Sequence, residues 1–296
     1  MYLVSILVWP PPRRKSKISV AIPASLTSDL PHLRDKSVRA GIVARAAALF
    51  RVEDIYIYLD RHGVESEGEF LCKILNYLNT PQYLRKRIYP ISPFLKYAGI
   101  LPPLKAPHHT VSGNLKTIGR GEFREGVVVK SGRSSLVDVG LGKLYPISKR
   151  LRKGSRVTVR LVKRRGDVSV KLASKEDVNV YWGYTAYFTG CSLHKTVSMV
   201  NADMVLATSK YGEIIYNLLD EFSNTMSTCR NLLILFGSPH ESLFDICKRE
   251  GVKLRDLADY IVNTIPLQGC ETVRTEEALL ATLSIINLLS CSQPSS

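Results

Sequence analysis

The sequence predicts an α/β protein with a parallel sheet, interrupted by an inserted, strongly basic β-barrel. Three observations carry this expectation. Strand-like apolar runs alternate with helical stretches towards both ends of the 296-residue chain. Short runs rich in β-branched residues, separated by glycines, fill the middle. The charge is also uneven: residues 102–178 hold 18 basic and six acidic side chains, most of the formal net charge of +15. Residues 1–101 hold 15 and eight, and residues 179–296 hold eight and 12.

In chain order, residues 3–8, 18–22 and 55–59 read as buried strands, and residues 37–50 and 67–78 as helices. A proline-rich hinge, Leu101-Pro102-Pro103-Leu104-Lys105-Ala106-Pro107, opens the middle segment. Residues 126–130, 135–139, 156–162 and 167–172 follow as β-branched runs, with Gly132, Gly140, Gly142, Gly154 and Gly166 between them. Strands this short and evenly spaced predict a small closed barrel, preferably of the five-stranded oligonucleotide-binding type. Period-two alternation puts Val157, Val159 and Leu161 on one side of their strand and Arg156, Thr158, Arg160 and Val162 on the other. Beyond the barrel, residues 214–222 and 276–289 read as helices and 232–236 as a buried strand. The expected boundaries are therefore an α/β domain from 1–101 and 179–296, with the barrel at 102–178.

Composition narrows the classes. A hydrophobic content of 45% excludes wholesale disorder. No run reaches the roughly 18–20 apolar residues of a bilayer span, and the first residues read as a strand rather than a cleavable leader. The six cysteines form no CxxC pair, so neither a zinc site nor a disulfide framework is expected, and reduced thiols fit a cytoplasmic protein. A net charge this positive calls for an anionic partner, nucleic acid before membrane. The candidate RNA-binding side chains are Arg120, Arg124, Lys130, Arg133, Lys149, Arg150, Arg152, Lys153, Lys163, Arg164 and Arg165.

Three strand-to-helix junctions are candidates for chemistry, because ligands of open α/β sheets sit beyond the carboxyl ends of strands. The first is Gly41-Ile42-Val43-Ala44-Arg45-Ala46-Ala47-Ala48-Leu49-Phe50, whose small residues predict a largely buried helix. A buried Arg45 would need an anionic or carbonyl partner, and a structural salt bridge is an equal reading. The second is Phe236-Gly237-Ser238-Pro239-His240-Glu241, with Ser238 as an N-cap for a helix starting near Pro239. The third, Ile265-Pro266-Leu267-Gln268-Gly269, follows an apolar strand and precedes Thr275, which can cap the terminal helix. Neither GxxxxGK[ST] nor GxGxxG occurs. His108-His109 has a metal reading, but neighbours on an extended segment face opposite ways, so a structural or RNA-backbone role is preferred.

These three segments, in this order, resemble the motifs of the SPOUT class of RNA methyltransferases, the α/β-knotted enzymes that use S-adenosylmethionine. Ala106-Pro107-His108-His109, Glu122-Phe123-Arg124-Glu125-Gly126-Val127-Val128 and Val273-Arg274-Thr275-Glu276-Glu277-Ala278 resemble the archaeal and eukaryotic branch with a central OB-like insertion. The resemblance covers nearly the whole chain. It implies a carboxyl-terminal trefoil knot, an exception to the rule against threaded loops. It also implies a homodimer whose second subunit completes the active site.

Carried onto this sequence, the resemblance places Gly237 and Ser238 by the methionine and ribose parts of the cofactor. It places Ile265, Leu267 and Gly269 around its adenine and ribose, and makes Phe236, Pro266, Thr272 and Val273 further cofactor-binding residues. Arg45 matches the arginine that acts at the target nucleotide. Relatives that methylate the ribose 2′-oxygen end the third motif with Ser-Leu-Asn, whereas this chain has Thr272-Val273-Arg274. A base nitrogen, uridine N3 of ribosomal RNA, is the expected target. Arg45 or Arg274 would then stabilise negative charge on the uracil, and Glu241 or His240 would accept the proton. The alternatives are a non-catalytic RNA-binding protein with an idle knot, a ribose methyltransferase and a protein methyltransferase.

Overall fold

A computed structural model describes residues 9–109, 121–164 and 167–291. The strand expected at 3–8 lies outside the described residues. The chain divides into two compact units: Arg14–Leu78, Phe94–Leu104 and Tyr184–Ser296 form the larger, and Met1–Arg13, Asn79–Pro93 and Lys105–Gly183 the smaller.

The larger unit begins with strand β1 (Lys17–Pro23), helix α1 (Leu33–Leu49), strand β2 (Asp54–Tyr58) and helix α2 (Glu65–Leu78). The smaller unit follows with α3 (Gln82–Ile88) and strands β3 (Phe123–Lys130), β4 (Ser135–Asp138), β5 (Leu144–Ile147), β6 (Arg156–Arg164) and β7 (Asp167–Ala173). The chain then returns to the larger unit through β8 (Thr185–Phe188), α4 (Leu193–Val200), β9 (Met204–Ile214) and α5 (Leu219–Thr228). It closes with β10 (Asn231–Leu235), α6 (Leu243–Arg249), α7 (Leu254–Leu257), β11 (Tyr260–Asn263) and α8 (Thr275–Cys291).

Six strands form one parallel sheet in the order β11-β9-β10-β1-β2-β8. Its central strands read as unbroken apolar runs because both faces are covered. Alternation divides them between two cores. Ile18, Val20, Leu232 and Ile234 face the helices α1, α2, α5 and α8, whereas Ala21, Leu233 and Leu235 face α4, α6 and α7. β1 leads on to β2 on one side while β10 leads on to β11 on the other. The carboxyl ends of β1 and β10 therefore flank a topological switch point, where open α/β sheets place ligands.

The helix expected at 214–222 is present in its second half, but its start is misplaced. β9 runs to Ile214, a 3-10 turn follows at Ile215–Leu218, and α5 begins only at Leu219. The spacing of Ile214, Ile215, Leu218, Leu219 and Phe222 imitates one face of a helix, but its first members belong to a strand and a tight turn. The caps also shift. α6 starts at Leu243 with Ser242, not Ser238, in a reciprocal capping box with Asp245. Thr275 is the first helical residue of α8, and the Arg274 carbonyl accepts from the Glu277 and Ala278 N–H groups.

In the smaller unit β3–β7 form an antiparallel, nearly closed sheet in the order β5-β4-β3-β6-β7, with β5 approaching β7. β5 is not among the strands that the sequence predicts, since Pro146 and exposed alternate residues weaken its apolar signal. Val159 and Leu161 point into the core with Val128, Val137 and Val170, while Arg160 points out, as the period-two reading of β6 requires. Among the described residues, no helix is long and apolar enough to cross a membrane. None of their His, Cys, Asp and Glu side chains gather in groups of three or more that could hold a metal ion.

Candidate active site

Beyond the carboxyl ends of β10 and β11, and beside residues 208–211 within β9, lies a cleft of ≈ 340 Å³. Loops 236–243 and 263–273 form two of its walls, residues 208–211 a third, and Thr275 and Ala278 of α8 its base. Its volume falls within the range of small-molecule sites.

The β10 loop is shaped by its backbone bonds. Phe236 is fully buried: its N–H donates to the Ala21 carbonyl (3.0 Å), and its carbonyl accepts from the buried Tyr58 hydroxyl (2.7 Å). Burial holds that phenol well above its ordinary pKa, so it stays a donor. A side chain on Gly237 would press against the Glu241 carbonyl at 3.1 Å, and the turn needs that space. Ser238 Oγ accepts from the Glu241 N–H (3.0 Å) and the His240 N–H (3.3 Å), which closes the loop on itself. The Gly237 carbonyl accepts from Thr275 Oγ1 (3.0 Å), tying this loop to the start of α8.

The β11 loop is held from within. Asn263 Oδ1 accepts from the Ile265 N–H (3.0 Å), and Gln268 Nε2 donates to the Cys270 and Glu271 carbonyls (2.8 and 2.9 Å). Leu267 adopts a left-handed φ of 55° and is fully exposed. A side chain on Gly269 would meet open space. α8 is anchored by Glu276, which pairs with Arg39 Nε at 2.9 Å. The Arg39 side chain is only 4% exposed, and it also pairs with Asp29 and donates to the Leu26 carbonyl (3.0 Å).

This arrangement sorts the residues expected from sequence. Phe236, Gly237, Ser238, Ile265, Thr272, Val273 and Glu241 line the cleft together with His240. Pro266, Leu267, Gly269 and Arg274 belong to the same stretch of chain but lie outside the lining. Glu241 is ion-paired with Arg249, and the Arg274 N–H donates to Glu277 Oε2 (2.9 Å).

The burial expected for Arg45 is a misreading. The arginine that α1 buries is Arg39, while Arg45 shares an exposed face with Val38, Ile42 and Leu49. Its guanidinium donates to the Pro103 and Leu104 carbonyls (3.2 and 3.4 Å), and no carboxylate pairs with it among the described residues. Residues 208–211, Asn263, Thr264 and Glu271 also line the cleft, although no sequence motif marks them for it; Gln268 and Ala278 line it from within the motifs at 265–269 and 273–278. Loops 236–241 and 265–269 announce themselves by glycine and proline after a strand. Residues 208–211 carry no such signal.

In the smaller unit the expected RNA-binding residues separate. Lys130, Arg133, Lys149, Arg150, Arg152 and Lys153 are exposed, and none is ion-paired among the described residues. Strand register gathers them at one end of the barrel: Ser135 pairs with Ile147, and Val128 exchanges backbone bonds with Gly154 and Ser155. Ser135 Oγ holds the backbone of the 149–151 loop, donating to the Lys149 carbonyl (2.7 Å) and accepting from the Leu151 N–H (2.9 Å).

Lys163 lies at the opposite end, on the β6–β7 hairpin, as does the backbone of Arg164. Arg124 leaves the exposed set, being 1% exposed and paired with Glu122 at 3.0 Å. Arg120 and Arg165 lie outside the described residues. His108 and His109 do not face opposite ways: they sit on a turn, and both Nε2 atoms reach the Asn79 carbonyl (2.7 and 3.1 Å).

Residues 17–286 match the model of a family described as "Putative RNA methyltransferase". The chain belongs to this family. The 28S rRNA (uridine-N(3))-methyltransferase of Mus musculus is 33% identical to it, over 92% of this chain and 76% of the relative. The Homo sapiens protein of the same name is 32% identical, over 92% and 78%. An uncharacterised protein of Haloarcula marismortui is 33% identical, over 91% and 98%. The chain is thus a methyltransferase acting on RNA, and the cleft lies within the matched residues.

Proposed function

We propose that this methyltransferase transfers a methyl group from S-adenosylmethionine to N3 of a uridine in ribosomal RNA. The observation that carries the reading is the convergence of loops 236–243 and 263–273 on one cleft beyond the carboxyl ends of β10 and β11, the two parallel strands that flank β9. The substrate comes from the names of the relatives in mouse and human.

The residues present fit the donor. Glu241, Asp245 and Glu271 line the cleft against the ammonium of Lys210, a balance that suits a cationic sulfonium and not a polyphosphate. Ile265, Val273 and the loop carbonyls offer the mixed apolar and polar wall that an adenosine group needs. When bound, S-adenosylmethionine supplies an electrophilic methyl carbon for in-line displacement. The protein contributes positioning and charge stabilisation.

As N3 forms its bond to carbon, the N3 proton must leave. Glu241 or His240 at the cleft wall accepts it. Arg45, held by two carbonyls and without a carboxylate partner among the described residues, stabilises the charge that develops on the uracil, with Arg274 as the alternative. The exposed basic end of the barrel grips the RNA backbone, and the β3–β7 sheet is of the OB type. The carboxyl-terminal knot and the homodimer implied by the SPOUT resemblance belong to the same proposal, and sedimentation of the purified protein tests the dimer.

Titration calorimetry with S-adenosylmethionine is expected to give one site per chain at micromolar Kd, about −8 kcal/mol. Arg45→Ala should keep that affinity and lower turnover by orders of magnitude. A folded protein that binds neither S-adenosylmethionine nor S-adenosylhomocysteine would leave an RNA-binding protein without catalysis.

A further inference from the structure

β9 breaks its ladder at the mouth of the cleft. Ala207 pairs with Ile261 and Glu213 pairs with Val262, so residues 208–212 of β9 are inserted between two consecutive pairs of the β9–β11 ladder. A bulge of this size forfeits pairing, and bulges next to sites serve to re-aim side chains. The ends of the bulge are fixed by packing. A side chain on Gly212 would collide with the backbone of Ile261 and Val262 at 2.7 Å, so the chain can rejoin β11 there only as glycine.

Thr208 Oγ1 donates to the Leu235 carbonyl (2.9 Å), Asn263 Nδ2 donates to the Lys210 carbonyl (3.2 Å), and Ser209 Oγ accepts from the Tyr211 N–H (3.1 Å). The product of this construction is one presented aromatic ring. Tyr211 lines the cleft yet is 72% exposed, with Lys210 Nζ 5.3 Å from its ring centroid. Phe236, also in the lining, is fully buried and offers no free face.

We infer that Tyr211 is the stacking platform for the target pyrimidine, with Lys210 beside it as the contact for a flanking phosphate. The inference rests on the methyltransferase reading of the cleft. An enzyme that acts on a base edge must take that base out of its stack and hold it, commonly against an aromatic face. A ring at the rim meets the incoming nucleotide, whereas a donor enclosed by loops 236–243 and 263–273 lies deeper. The ammonium beside the ring argues the same way, since it attracts an RNA phosphate and repels a sulfonium.

The direct test is photo-crosslinking of the full chain to a single-stranded oligoribonucleotide carrying 5-iodouridine, with the adduct mapped by mass spectrometry. An adduct on Tyr211 is expected, and adducts confined to the barrel would overturn the platform. Kinetics on RNA supply the second arm. Tyr211→Ala should lower kcat/KM by about tenfold or more and leave S-adenosylmethionine affinity within twofold, while Tyr211→Phe retains activity because stacking needs no hydroxyl.

Unchanged kcat/KM in Tyr211→Ala would overturn the platform. So would an equal fall in cofactor affinity, which would assign the ring to the donor. A Tyr211 adduct from a wild-type protein that transfers no methyl group would keep the platform and sink the reaction, so the two failures are distinguishable.

Discussion

Thr275 stands at the joint between α8 and the loop that leaves β10. Its hydroxyl donates to the Gly237 carbonyl, and its neighbour Glu276 is gripped by the buried Arg39. Thr275→Val removes the donor without changing the shape and leaves a cleft carbonyl unsatisfied, a cost of roughly 1–3 kcal/mol. Calorimetry should show cofactor binding weakened by about tenfold, with Thr275→Ser close to wild type; equal affinity in all three would separate the joint from the cleft. Arg39→Ala strands Glu276, which is almost fully buried, and breaking such a pair costs about 3–5 kcal/mol. Urea unfolding should register a loss of this size. The sequence puts Arg45 in a buried helix, whereas the arginine that α1 buries is Arg39. Helical phase decides that, and small residues on several sides of the helix blur the phase.

At the scale of elements, the smaller unit carries two separable predictions. Six exposed cations at one end should each release counterions on binding RNA. Replacing Lys149, Arg150, Arg152 and Lys153 by alanine should flatten the dependence of log K on log salt, by about 0.7 for each single-strand phosphate that is no longer neutralised. An unchanged slope would make that end a solvated face. His108 and His109 form the second case. Burial pushes the His109 imidazole down to about 4 and that of His108 well below its ordinary value, so the folded state prefers both neutral.

The unfolded histidines protonate near 6.5, so their contribution to stability is full above that pH and lost as the pH falls towards 4. His109→Asn should therefore melt with a weaker pH dependence between 6.5 and 4 than the wild type, and superimposable profiles would contradict this. The four main β-branched runs of the barrel are visible as strands because alternation is local. β5 is not, because its pairing with β4 is supplied from outside the segment.

Over the whole molecule, what the sequence makes legible is what local chemistry encodes. Loops 236–241 and 265–269 show themselves as glycine and proline breaks after apolar strands, and they do form the cleft walls. The third wall does not show itself. Nothing in Thr208-Ser209-Lys210-Tyr211-Gly212 says that a strand will leave its ladder there, because the register is set by β11, far along the chain. Nor does periodicity distinguish the end of β9 from a helix, so Ile214 reads as part of one.

On the function proposed above, this cleft methylates a uracil nitrogen and not a ribose oxygen. Incubating the protein with methyl-labelled S-adenosylmethionine and ribosomal RNA, then digesting the RNA to nucleosides, separates the two. Label is expected in 3-methyluridine. Label in a 2′-O-methylated nucleoside, or in protein alone, would contradict the proposal.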